Sequence, residues 1–206
     1  MIKRLIALLL TVLLITSAAL ADGVFGGLDL FGVFGNKSSD GLALTNTHIY
    51  GDFFAISYPA SWSVGPDSSQ DTEEYRYGGL LYSPEHTGFN VDIHLYHAAD
   101  WDDFSLADQD MATIEAFDEM TVETAPDLHY VRREYIYTPS MGIPFIIYDA
   151  QDEYGPMLAA ETIVDGWFVT IYGFAYTDGT YTTCRELTAD DYKLFIDIVN
   201  TYTPIS

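Results

Sequence analysis

The chain has 206 residues, 31 of them acidic against 8 lysines and arginines, a formal charge of −23 near pH 7, and 15% of its residues are aromatic. A field of that sign repels DNA, RNA and anionic lipid, because gripping phosphate requires cations on the protein. Cys184 is the one cysteine, which excludes an internal disulfide.

Residues 1–21 read as a secretory signal peptide. Lys3 and Arg4 precede an apolar run that ends in Ala19-Leu20-Ala21, a small-x-small cleavage site. Read instead as an uncleaved anchor, the run falls short of the roughly 20 apolar residues that span a bilayer, and Thr11, Thr16 and Ser17 interrupt it. No cysteine follows it, which excludes a bacterial lipoprotein anchor, and no second apolar span occurs. The expected mature protein is secreted or extracytoplasmic, without stable membrane insertion; it has 206 − 21 = 185 residues and a charge of 6 − 31 = −25.

Residues 22–46 read as a Gly/Phe-rich flexible linker. Gly-Val-Phe-Gly occurs twice, at Gly23–Gly26 and Gly32–Gly35, and glycines break every apolar run. Phe25, Phe31 and Phe34 are its apolar stickers, candidates for docking a partner if the segment does not fold back on the domain. Asn36-Lys37-Ser38 matches a glycosylation sequon.

The domain is expected over 47–206. An entry strand, "HIYGDFFAISYP", stops at Pro59, which cannot donate to a ladder. Two strands then flank the turn Pro84–Gly88; in the second, Val91, Ile93 and Leu95 share one face while Asp92, His94 and Tyr96 share the other. A helix is predicted with Ser105 as N-cap, Asp108 completing the box, and Met111, Ile114 and Phe117 on its inner face. Strands follow at about Leu128–Thr138, in "FIIYDAQ", in "MLAAETIV" and in "WFVTIYGFAY". The last two are joined by Asp165-Gly166, a two-residue hairpin signal. The apolar character of "WFVTIYGFAY" predicts a central strand covered on both faces. A final helix carries the capping box Thr188/Asp191, a staple of Leu187 and Tyr192, and the stripe Tyr192, Phe195, Ile198, Val199 and Tyr202. Hairpin-joined strands with two helices predict an α+β domain, an antiparallel sheet flanked by helices.

The stretch "FAISYPASWSV" resembles the first motif of the PsbP-like family, the fold of the photosystem II extrinsic protein PsbP and the Ran-binding protein Mog. The matching residues are Phe54, Ile56, Tyr58, Pro59 and Trp62, and the element order over 48–206 is similar too. The resemblance implies an exported, bacterial-type α/β/α sandwich used for binding or assembly, without a shared catalytic centre or site residues to carry over.

Asp92, His94 and His97 are the candidate metal ligands, with Asp100, Asp102 and Asp103 nearby; His97 faces away from the other two on a strand. The acidic loop around them lacks the register of a calcium-binding loop. No cofactor is assigned beyond this divalent cation. No nucleophile elbow, zinc-protease, P-loop or dinucleotide motif occurs, so no catalytic residue is assigned and the protein is not expected to be an enzyme. Cys184 has only Arg185 beside it and no nearby histidine to act as a base. Trp62, Tyr75 and Tyr77 are candidates for a partner-binding aromatic face, with sheet packing as the competing role. The function expected is a non-catalytic module for an extracytoplasmic protein partner. The alternative is a cation- or small-ligand-binding protein, with a hydrolase a distant third.

Overall fold

The computed structural model describes residues 36–37, 43–65, 71–85, 87–97, 101, 103–177 and 182–205. The signal peptide expected over 1–21, and Phe25, Phe31 and Phe34 of the linker, lie outside them.

Among the described residues, eleven strands form two antiparallel sheets. The smaller has the order β1-β2-β3-β11, built from Asn36–Lys37, Ala43–Tyr50, Phe54–Pro59 and Thr203–Pro204. The larger has the order β4-β5-β6-β10-β9-β8-β7, with β4 Ser63–Val64, β5 Tyr75–Tyr82, β6 Phe89–His97, β7 Val131–Tyr137, β8 Pro144–Asp152, β9 Gly155–Val164 and β10 Trp167–Ala175. Helix α1 spans Met111–Thr124 and α2 spans Ala189–Val199. β2 begins at Ala43 and pairs with β1, so the small sheet takes in residues of the segment 22–46 read as linker.

β10 is the central strand, hydrogen-bonded to β6 on one side and β9 on the other. Its side chains feed two cores. Val169 and Ile171 join Phe54, Ile56, Phe145, Phe195 and Ile198 on one face; Phe168 joins Ile114, Phe117, Ile146 and Tyr148 on the other. The first outer layer is thus shared by the small sheet and α2, and α1 makes the second. This corrects the symmetric α/β/α sandwich: the molecule is dominated by sheets, and only one outer layer is helix alone.

The two helices are held unequally. Thr188 and Asp191 close a complete capping box on α2, whose Leu194, Phe195, Ile198 and Val199 are buried. At about 1.5–3 kcal/mol for each large apolar side chain removed from water, that is about 6–12 kcal/mol before entropy. The buried stripe of α1 is Ile114, Phe117, Asp118 and Thr121, so only two of its four positions supply that term, about 3–6 kcal/mol. Its start also differs from the expectation. Ser105 heads a short 3-10 turn, Leu106–Asp108, without capping it, and the helix proper is capped by Asp110, whose carboxylate accepts from Thr113 N. Met111, expected on the inner face, is exposed at the first turn.

Ser105 has another task. Its hydroxyl accepts from Asp165 N at 2.8 Å and donates to Asp165 Oδ1 at 3.2 Å, pinning the β9–β10 hairpin to the segment before α1. Asp165 and Gly166 both have positive φ, 49° and 77°, as a type I′ turn requires.

Candidate functional site

The alternation along β6 places Asp92, His94 and Tyr96 on the α1 face of the large sheet. His94 Nε2 lies 3.1 Å from Asp92 Oδ2, and Tyr75 OH lies 2.9 Å from His94 Nδ1. A neutral imidazole protonated on Nε2 satisfies both, donating to the carboxylate and accepting from the phenol. Tyr77 also reaches Asp92, and burial together with Asp92 drives the Tyr75 and Tyr77 hydroxyls far above the ordinary tyrosine range. These phenols stay protonated donors, unsuited to act as bases or nucleophiles near neutral pH.

His97, as the alternation predicted, points to the other face and lies against Trp167, ring centroids 4.8 Å apart. Asp100 and Asp102 lie outside the described residues, and Asp103 turns the chain with φ 65°. Of the candidate ligands the structure therefore joins Asp92 and His94 only. Both ring nitrogens of His94 are engaged, so a metal there must displace Asp92 or Tyr75. Among the described residues no three His, Cys, Asp or Glu side chains converge as a metal ion requires.

A second polar cluster lies on the same face, below α1. Glu161 of β9 is 2% exposed, and its Oε1 accepts from Tyr130 OH at 2.8 Å, while Tyr172 OH stands 3.5 Å from the Tyr130 hydroxyl. Burial pushes the Glu161 carboxyl up to about 8, against the pull of the Tyr130 hydrogen bond. Above it, Asp118 of α1 accepts from Arg132 Nη1 at 2.7 Å, from Tyr135 OH at 2.9 Å and from Tyr148 OH at 3.0 Å. None of this cluster was singled out in the sequence. The available signal was an acid inside the apolar run "MLAAETIV", where a buried carboxylate demands a partner.

The aromatic candidates sort by burial. Trp62 is 7% exposed and turns back under the Pro59 carbonyl against Phe89; Tyr75 is 6% exposed against Tyr96 and His94. Their place in the folded chain is core packing, and Tyr77 is partly buried beside them. Cys184 is half-buried, and burial with Asp152 nearby raises its thiol to about 11, the opposite of nucleophile activation.

Three exposed apolar side chains lie at the far edge of the large sheet, and others, such as Ile49 on the small sheet, lie elsewhere. β7 is the terminal strand, paired only with β8 among the described residues, and Val131 and Tyr137 at its ends are 63% and 48% exposed. Met141 is exposed in the turn that follows. Beside β7 an open groove of about 620 Å³ runs between the strand ends and the start of α2, lined by Val131, Arg133, Asp149, Leu187 and Tyr192 among others. Arg133 Nε donates to both oxygens of Asp149 at 2.7 Å, and its guanidinium lies 4.3 Å from the Tyr192 ring centre. Tyr192 OH bonds Glu134. The arginine of the rim is thereby paired with an acid.

No family model and no curated protein matches the chain. Among solved structures it is similar to the solution structure of cyanobacterial PsbP (CyanoP) from Synechocystis sp. PCC 6803, at 14% sequence identity and a TM-score of 0.45, over 88% of this chain and 98% of that one. Among the described residues no helix is long and apolar enough to cross a membrane.

Proposed function

We propose that the protein is an exported, non-catalytic binding module that takes an extracytoplasmic protein partner along β7 and the groove beside it. The observation that carries this reading is the edge strand itself, a seven-residue strand with exposed apolar side chains at both ends. Such an edge offers unpaired backbone donors and acceptors to an added strand. The excess of acids over bases favours a partner segment with basic and apolar side chains. The titratable clusters fit a structural role better than catalysis: their hydroxyls are held protonated, and His94 is locked between two partners.

Photo-crosslinking residues placed at Val131 and Tyr137, with Thr47 on the small sheet as control, test the reading in the native host. One recurrent adduct from both β7 positions, and a tenfold weaker interaction for the V131E/Y137E double variant at unchanged melting temperature, are expected. Equal labelling from Thr47, or none from β7, overturns it.

A further inference from the structure

Helix α1 rests on the sheet through a stripe that is half polar, and beneath that stripe lies a carboxyl group with an incomplete set of partners. Glu161 uses Oε1 to accept from Tyr130, while Oε2 has beside it the Thr121 hydroxyl of α1, at a geometry short of a normal hydrogen bond. Every element around Glu161 contributes a titratable or charged group. α1 contributes Asp118, the segment before β7 contributes Tyr130, β8 contributes Tyr148, and β10 contributes Tyr172. β7 adds Arg132 and Tyr135, both already bonded to Asp118. Beyond Tyr172, β6 places His94, its ring 5.6 Å from the Tyr172 ring, and Asp92. The arrangement thus holds a single cation, Arg132, and it is committed to Asp118 on the half-exposed side of the helix.

With its proton, Glu161 is a neutral group that α1 can cover. Without it, a second carboxylate lies under the helix beside Asp118, in a site of low polarity, with the Tyr130 phenol and the loosely placed Thr121 hydroxyl as its donors. We propose that α1 is a pH-gated flap, released from the large sheet when Glu161 ionises while the two sheets and α2 stay closed. Release uncovers Phe168, whose ring lies tilted against Phe117 of α1, and the stacked rings of Tyr148 and Tyr130. α2 is held differently: its buried inner positions Leu194, Phe195, Ile198 and Val199 are apolar, its buried acid Asp191 is paired with Arg185 at the cap, and Asp197, with one oxygen lacking a hydrogen bond, is only partly buried.

The sign follows from linkage. Closed, the carboxyl titrates near 8; opened to water, near its ordinary 4.5. Stability of the closed helix is therefore full below about pH 4.5 and declines as pH rises toward 8, then levels off. Hydrogen exchange of the mature protein from pH 5 to 9, corrected for the intrinsic rate of exchange, reads this directly. Protection of α1 amides should fall up to tenfold per pH unit between about 5 and 8 while staying at least tenfold below that of β9 and β10 amides, whose slower exchange through global unfolding carries the same pH slope, and E161Q should flatten the α1 profile. A flat α1 profile in the wild type overturns the flap. So does protection of α1 amides equal to that of β9 and β10 at every pH, which marks unfolding of the whole domain. The wild-type profiles decide the matter alone if E161Q does not fold.

Discussion

His94 and Glu161 stand on opposite sides of β10 and both pair with Thr170, so one cross-strand row carries an imidazole, a hydroxyl and a carboxyl beneath α1. The two titratable ends of that row are satisfied differently. His94 has partners on both nitrogens, and Glu161 has one well-formed bond, from the Tyr130 phenol, with the Thr121 hydroxyl only loosely placed at its other oxygen. The contrast predicts opposite outcomes for substitution.

Replacing Glu161 by Gln removes a group whose ionisation opposes folding. The wild type forfeits about 1.4 kcal/mol per pH unit across the window between its unfolded and folded values, and those values are 4.5 and about 8. E161Q is therefore expected to gain on the wild type as pH rises from 5 to 8, the remaining acids cancelling between the two proteins. Urea denaturation at pH 5, 6.5 and 8 measures the difference, and a pH-independent difference contradicts the buried-acid account.

His94→Ala is expected to cost about 2–4 kcal/mol, since it opens a cavity and strands both Asp92 and the Tyr75 hydroxyl. The same engagement predicts that zinc, added to the wild type at a few equivalents, leaves the melting temperature unchanged. A metal-dependent rise lost in His94→Ala would restore Asp92 and His94 as ligands.

Gly173 of β10 sits where no side chain fits: a Cβ there would lie 2.6 Å from Phe89 Cζ and 2.7 Å from Phe195 Cδ2. Both rings belong to the main core, so neither can swing into solvent. Gly173→Ala should destabilise by about 1–3 kcal/mol through overpacking, read as a lower urea midpoint at unchanged slope.

At the α2 cap, Thr188 Oγ1 accepts from Asp191 N while Asp191 accepts from Thr188 N and from Arg185. Burial opposes ionisation of Asp191, but these bonds outweigh it and hold the carboxyl below its usual value. Thr188→Ala should cost about 1 kcal/mol. For Asp191 the lowered value means that its stabilisation is present above pH 4 and lost on acidification, the reverse of Glu161. Thermal melts from pH 3 to 5 on D191N and wild type should converge at the acid end.

These residues also show what could be read beforehand. Asp165-Gly166, the Thr188/Asp191 box and the alternation through Val91–Tyr96 are local patterns, and the structure contains each of them. Half of the inner face of α1 was legible, as Ile114 and Phe117, and half escaped because periodicity counts apolar residues and the other two buried positions are Asp118 and Thr121. The small sheet escaped because its closure is nonlocal: β11 is two residues long and pairs Thr203 with Ala55. β2 is edged with Thr45, Asn46 and Thr47, which read as loop until His48 is seen bonding the Gly78 carbonyl at 2.7 Å. The groove by β7 arises from three strands and a helix start, a juxtaposition no short window contains.

The placement of β10 has a consequence for how the chain is made. β6 is finished by residue 97, yet the strand that covers its inner edge starts at residue 167, and the strand that completes the small sheet beside β3 starts at residue 203. During synthesis the first hairpin therefore waits with an open, apolar edge until nearly the whole domain has emerged, and sheet closure is a slow, long-range step. A holdase that covers β6 early, or a compartment in which the chain first meets its folding conditions at full length, would serve this topology better than folding in step with the ribosome.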